Sequence, residues 1–476
     1  MLNIYNTMKR DKEPIKKENN DKNINLFVCG PTVYDDAHIG HGRTYIAFDM
    51  IKSYLEFIGY SVFYIENITD IDNKIVNRAK KTNINSEELA NYYENRFKED
   101  MEKINVNSVN HYPRATYHLN EVYNQIQILI DKGYAYETET GVYFETSKFK
   151  DFGKLSNRKL DKLNSHRIAI DPTKKDPKDF ALWKKTSEIP YYESKWNKGR
   201  PGWHIEDTAI TEKYFGPQYD IHGGGLDLIF PHHDAEIAQM EAISGKKPMV
   251  KYWMHTGFLN VDGVKMSKSL GNFITIRELL KNWDPMVYRL FVLSTHYRSP
   301  IDFSSKSLEQ ASKNLKRLKK AIVNLKKTIL YLEKIDLKDI NLYSEKLNQL
   351  NSVKTDFFTQ MDDDFNTPRA LAIVLSFTKV INSYTKNIND KNVDDRKIDI
   401  RDMEFLKKAL DFLKDFEYIF KLDLFEENEK NFEDNSAQLL EIISYTREKL
   451  RKENNYKLSD DIRNKLNKLN INIEDK

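Results

Sequence analysis

Two short stretches carry residue types that handle phosphate: "HIGH" at His38 to His41 and "KMSKS" at Lys265 to Ser269. Neither a Walker loop nor a G-x-G-x-x-G turn accompanies them, so any nucleotide must be held by other groups. In the first stretch two imidazoles, His38 and His41, bracket Ile39-Gly40 at the start of a helix. Helix N-terminal amides and imidazole N–H groups can stabilise negative charge on a phosphate in flight. Gly40 lets a flat base or a ribose approach the backbone closely. In the second stretch Lys265 and Lys268 place two ammonium groups in a Ser-containing loop suited to closing over a triphosphate. A histidine tetrad can occur idly, and a lysine-rich loop is usually solvent decoration. Together, in this order and in an α/β setting, they point to nucleotide chemistry. The only cysteine in the chain, Cys29, ends an apolar run nine residues before His38. A lone cysteine is most often a small buried hydrophobe.

The elements that must position these residues follow from the hydrophobic pattern. "NLFVCG" reads as a short buried strand closed by Gly30-Pro31. From His41 to about Ile58, apolar residues recur at helical spacing until Gly59, and "SVFYIEN" reads as a second strand. Strand, helix and strand make a parallel βαβ unit, the building block of a doubly wound sheet. The segment 115–200 breaks this rhythm with a hairpin-like stretch and basic loops, and reads as an insertion. The α/β pattern resumes at "YDIHGGGLDLIFPHHDAEIAQM" and continues to about residue 305. Beyond it, Leu315, Leu318, Ile322, Leu325, Ile329 and Leu332 define a long amphipathic helix with a lysine-rich outer face. Such a face is usually just solvated. "MDDDFNTPRAL" begins another helix, with Thr367 as expected N-cap and Pro368 at its first position. The expected organisation is a Rossmann-like α/β domain in two halves, 1–114 and 201–305, with the insertion 115–200 between them. An all-α helical bundle over 306–430 and a small helical region over 431–476 follow.

Composition sets outer bounds. The 476 residues suffice for about three domains of ordinary size. No apolar run approaches the ~18 residues of a membrane span, and the N-terminus lacks the h-region of a secretory signal. A single cysteine cannot form an internal disulfide, which fits a reducing cytoplasm. The net charge of +3 announces no nucleic-acid partner, so one would have to be met by local patches.

The paired HIGH and KMSKS signatures are those of class I aminoacyl-tRNA synthetases. "CGPTVYDDAHIGHGRT", "NITDIDNKI", "GRPGWHIED", "YDIHGGGLDLIFPHHDAEIAQ", "YWMHTGFLNVDGVKMSKSLGNF", "HYRSPIDFS" and "MDDDFNTPRAL" resemble the cysteinyl-tRNA synthetase family in particular, from about residue 24 to 380. The resemblance implies a catalytic-site zinc that recognises the substrate thiolate, with Cys29, His232 and Glu236 at ligand positions. His232 and Glu236 are four apart, hence on one face of a helix expected to begin near Pro231. The family's commoner pattern has a second cysteine where this chain has Asp207. A carboxylate conserves that ligand's charge while hardening the site.

The resemblance further implies that Thr69, Trp203, His204 and His222 lie near the amino acid, and that Gly223 to Gly225 and Asp227 face adenosine. His38, Gly40, His41, Gly224, Asp227, Lys265 and Lys268 would bind ATP, which Mg²⁺ accompanies. The implied reaction is formation of cysteinyl-adenylate from L-cysteine and ATP, followed by transfer to the tRNA for cysteine. The lysine-rich helix from about 310 and the helices after Asp362, within 306–430, would form the anticodon-side region and contact the RNA. The expected protein is a cytoplasmic monomer with no membrane partner and no editing domain. Two alternatives share parts of this pattern: a cysteine ligase of thiol biosynthesis acting on an amino sugar, and a non-catalytic RNA-binding paralogue.

Overall fold

The computed structural model describes residues 1–16, 22–158, 171–266, 270–334, 345–390, 400–426 and 429–467. Of the sequence-predicted site residues, Lys268 lies outside the described residues. The chain divides into two compact units, 1–424 and 425–476.

The first unit is built on a four-stranded parallel sheet. Its strands are β1 (Asn23–Val28), β2 (Ser61–Glu66), β3 (Tyr219–Gly225) and β4 (Val250–Thr256), in the order β4-β3-β1-β2. All four are largely buried, as expected for parallel strands covered on both faces. On one face Gly223 leaves room only for the Phe48 ring of α1 (Ile39–Phe57). On the other, Phe27, Ile65 and Tyr219 pack with Ile210 of α2 (Trp203–Phe215) and with Ile237 and Met240 of α3 (Asp234–Ser244). The chain leaves β1 toward β2 and later returns on the opposite side of β1 through β3. That reversal opens a crevice at the carboxyl ends of β1 and β3, where open α/β sheets bind ligands.

The insertion forms its own antiparallel sheet from Ala135–Glu137, Gly141–Phe144, Phe180–Lys185 and Gly199–Pro201. Val142, Phe144, Leu182 and Trp183 share a core with Ile205 and Ala209 of α2 and Ala238 and Ala242 of α3. The insertion thereby braces the two helices that carry Asp207 and Glu236.

Two sequence expectations shift slightly. Helix α1 begins at Ile39, two residues early, because His38 itself is the N-cap. The helix carrying Thr367 starts at that residue, and the carbonyl of Asn366 accepts from Ala370 N–H, so the cap falls one residue before Thr367.

After a small sheet of Leu259–Val261, Val264–Lys265 and Ile301–Phe303, the unit becomes helical. Helix Ser305–Leu332 buries the predicted leucine and isoleucine stripe, while Lys313, Lys316 and Lys320 face solvent. Helix α1 ties this part to the sheet. Its buried Asp49 receives Arg289 Nη2 at 2.6 Å and Lys421 Nζ at 3.1 Å, and Arg289 also donates to Phe420 O. In the second unit, helices Glu429–Lys452 and Tyr456–Asn467 pack on each other, with Arg447 donating to Ser459 O. Among the described residues no helix is long and apolar enough to cross a membrane.

Candidate active site

Cys29 follows β1 directly, and its N–H bonds to Gly223 O of β3 at 3.1 Å, which fixes it at the crevice. Gly30 must be glycine, because a Cβ there would sit 1.7 Å from Asn67 O. That close approach lets Asn67 accept from Gly30 N–H at 2.6 Å and donate to Asp207 Oδ1 at 2.8 Å. Asp207 comes from the second turn of α2. A turn wider than an α-helix, Ile229–His233, supplies His232, and regular helix α3 starts only at Asp234. The expected helix start near Pro231 is thus three residues early, because Phe230 holds an extended backbone inside the turn.

One ligand atom from each of Cys29, Asp207, His232 and Glu236 lies within 4.8 Å of the other three. The last three are at most 1% exposed and Cys29 is 8% exposed. His232 Nε2 is 3.0 Å from both Asp207 Oδ2 and Glu236 Oε1. Its Nδ1 is 2.7 Å from His204 Nδ1. Both Glu236 oxygens are buried and accept no hydrogen bond. Burial, with Glu236 and Asp207 adding to it, pushes the Cys29 thiol well above its ordinary value. Burial and then Asp207 push the Glu236 carboxyl well up as well. A thiol, two carboxylates and an imidazole converging in a dry site call for protons or for a cation. The donor set suits a divalent metal such as zinc.

Cys29 and Glu236 also belong to a second compact set with His222 and His233, whose Nε2 atoms lie 3.3 and 3.1 Å from Cys29 Sγ. Their Nδ1 atoms are engaged by Tyr219 OH at 2.7 Å and His255 Nε2 at 2.9 Å. Burial holds His204, His222 and His233 well below the ordinary imidazole range, and His255 at about 3. Asn67, Tyr219, His233 and His255 went unnoticed in the sequence. Only the doubled histidine in "PHHD" offered a signal.

Beside this cluster lies a cavity of about 440 Å³ lined by Cys29, His38, Gly40, His41, Trp203, Gly225, Asp227, Lys265 and Met266, among others. Trp203, 38% exposed, stacks on His232 with ring centroids 4.1 Å apart. Thr69, His222 and Gly224 are not among the lining residues; Thr69 and His222 are buried behind the wall.

The two histidines of the tetrad form a capping box. His38 Nδ1 accepts from His41 N–H at 3.2 Å, His41 Nδ1 accepts from His38 N–H at 3.4 Å, and the rings stack 3.6 Å apart. A neutral imidazole whose Nδ1 accepts carries its proton on Nε2, so both rings are Nε2–H donors. A Cβ on Gly40 would press to 2.9 Å against the His38 ring, which is why glycine stands between them. Lys265 rests over the Phe258 ring at 4.9 Å. The loop beyond it is moored to the histidine turn: Ile39 N–H donates to Ile274 O and Ile276 N–H to Ala37 O. The segment that follows the second signature is thus stitched by backbone to the histidine turn more than 200 residues before it.

A family model described as the class I (C) tRNA synthetase catalytic domain matches residues 15–313, and one for the DALR domain matches 356–425. The cysteine–tRNA ligase of Pyrococcus horikoshii is 48% identical over all of this chain and 97% of its own length. The chain belongs to the cysteine–tRNA ligase family. The counterpart from Thermococcus gammatolerans is 45% identical over the whole chain and 97% of its own length, and that of Thermoplasma acidophilum 55% over 65% of the chain and 69% of its own. The fold is also that of Mycobacterium tuberculosis methionyl-tRNA synthetase in complex with methionyl-adenylate. That match has a TM-score of 0.63 at 15% identity, over 84% of this chain and 89% of that one. The chain is accordingly an aminoacyl-tRNA ligase with a class I catalytic domain and a helical DALR region.

Proposed function

We propose that the chain activates L-cysteine with ATP and transfers it to the 3′ end of the cysteine tRNA, selecting the amino acid at a zinc ion held by Cys29, Asp207, His232 and Glu236. The observation that carries this reading is Glu236: two buried carboxylate oxygens without a hydrogen bond, facing a histidine, an aspartate and the only thiol. The set with Asp207 is preferred to the one with His222 and His233 because it leaves no buried carboxylate of the cluster without a cation. Zinc held there would favour a thiolate over a hydroxyl, a distinction that a shape-only pocket makes poorly.

The protein's own groups do the rest. Trp203 walls the amino acid, while Thr69 and His222, from behind, orient the cluster that receives it. The cysteine carboxylate attacks the α-phosphorus, the bond to the bridging oxygen breaks, and pyrophosphate leaves. His38 and His41 donate Nε2–H to the phosphate as charge builds, and Lys265 and Lys268 neutralise the departing pyrophosphate, with Mg²⁺ accompanying the nucleotide. Gly224 and Asp227 serve the adenosine side. A terminal ribose hydroxyl then attacks the acyl carbon and AMP leaves. The helical region that follows residue 306 holds the RNA. The working unit is a cytoplasmic monomer.

The test is cysteine-dependent ATP–pyrophosphate exchange, compared with serine and repeated after chelation and zinc addition. Exchange that requires cysteine, ignores serine and returns with zinc supports the reading. Exchange indifferent to metal removes zinc from it. Transfer of the cysteinyl group to an amino sugar in place of tRNA would turn it toward a small-molecule cysteine ligase.

A further inference from the structure

The cavity's charges are not all accounted for by the residues discussed so far. Three acids line it, Asp35, Asp36 and Asp227, and three cations, Arg43, Lys74 and Lys265, stand beside the two histidines. Arg43 is spent on structure: it is 3% exposed and donates to the carbonyls of Phe258, Tyr297 and Ser299. Two of the acids are answered from outside the lining. Arg96 grips Asp36 at 2.5 and 2.7 Å, and Arg78 lies 3.8 Å from Asp35.

Lys74 is different. It sits in the first turn of helix Asn73–Thr82, which follows "NITDID", and its ammonium makes no ion pair or hydrogen bond among the described residues. It lies 5.6 Å from the centroid of the Tyr34 ring, which also lines the cavity. A ring face holds an ammonium in place without neutralising it. Its backbone N–H is already taken by the Asp72 cap, so the side-chain charge is what this residue offers. With Asp35 and Asp36 answered by arginines, the cavity keeps a surplus of positive charge, and Lys74 supplies part of it.

We propose that Lys74 binds a phosphate of a substrate in this cavity. This rests on the synthetase reading above, whose substrates bring phosphate in two forms: the ATP triphosphate and the backbone near the RNA 3′ end. An ammonium pre-set on an aromatic face contacts either one as a point charge.

The experiment compares wild type, Lys74→Met and Lys74→Arg in cysteine-dependent pyrophosphate exchange and in aminoacylation of the cysteine tRNA. Wild-type exchange is the control for the underlying reading; without it that reading fails and the Lys74 proposal falls with it. With a triphosphate contact, Lys74→Met raises the KM for ATP by about tenfold, the low end for a hydrogen bond to a charged group, and leaves the KM for cysteine unchanged. With an RNA contact, exchange is untouched and kcat/KM for tRNA falls by a similar factor. In both cases Lys74→Arg retains most of the activity. The proposal is overturned if Lys74→Met matches wild type in both assays, if only the KM for cysteine moves, or if Arg and Met are equally impaired.

Discussion

The two halves of the site are built in opposite ways. The cluster around Cys29 is buried, wired to surrounding side chains and braced by the insertion. The phosphate side, with His38, His41 and Lys265, lies on a capped helix start and an exposed hairpin, open to the cavity. On the proposed reading, rigid burial would suit a metal site that has to tell sulfur from oxygen, since slack at a metal lets a wrong ligand in. On the same reading, openness would suit groups that close on a triphosphate and release its products. If the proposed roles hold, selection and activation are mechanically separable. Substitutions should therefore damage one without the other.

The sharpest break is Cys29→Ala. It should abolish retention of metal through gel filtration and lower cysteine-over-serine discrimination by about a thousandfold, toward the ~10² of a shape-only pocket. Nucleotide binding, followed by fluorescence of an ATP analogue, should stay intact. The converse variant, His41→Ala, should keep its full metal content by elemental analysis. Its kcat for pyrophosphate exchange should fall by about 10²–10³, the usual loss on deleting one donor to a developing charge. Metal loss from this variant would mean that the halves are not separable. A smaller effect is expected from Asn67→Ala, which removes the bond to Asp207 Oδ1 and loosens Gly30. Competition with a chelator should show metal held about 10–100-fold more weakly, with the KM for ATP unchanged.

The last prediction concerns pH. Burial depresses the folded-state pKa of His255 to about 3, below its unfolded value near 6.5. The unfolded chain therefore binds the extra proton, so this contribution to stability is present above about pH 6.5 and lost as pH falls. Between pH 7 and 5, wild type should lose about 2 kcal/mol more than His255→Gln in urea unfolding of the metal-free protein. Parallel losses would show that His255 is not held neutral.

Much of the scaffold was legible because burial writes periodicity into sequence. The βαβ unit followed from "NLFVCG", the helical spacing from Ala47 to Ile58, and "SVFYIEN", and the leucine stripe at 315–332 is buried as read. What escaped was set by contacts distant in sequence or by side chains doing unusual local work. Helix α1 starts early because two histidines, poor helix-starters by statistics, cap each other's backbone. The wide turn at 229–233 has no sequence signature beyond Pro231. Asn67 and Tyr219 looked like ordinary strand-end residues, and only the fold brings them against Asp207 and His222. Thr69 and His222 turned out to be buried, a matter of depth that no motif encodes.

The order of the chain has a consequence for its birth. Cys29 and strands β1 and β2 are made first, and Glu236 follows roughly 200 residues later, which at about 5–20 residues per second is a wait of roughly 10–40 s. Until Asp207 is made, about 180 residues after it, the lone thiol has none of the three side chains that surround it in the fold. The first βαβ unit is therefore made without the residues that surround its thiol, and any metal held by all four side chains can join only once the second half has emerged.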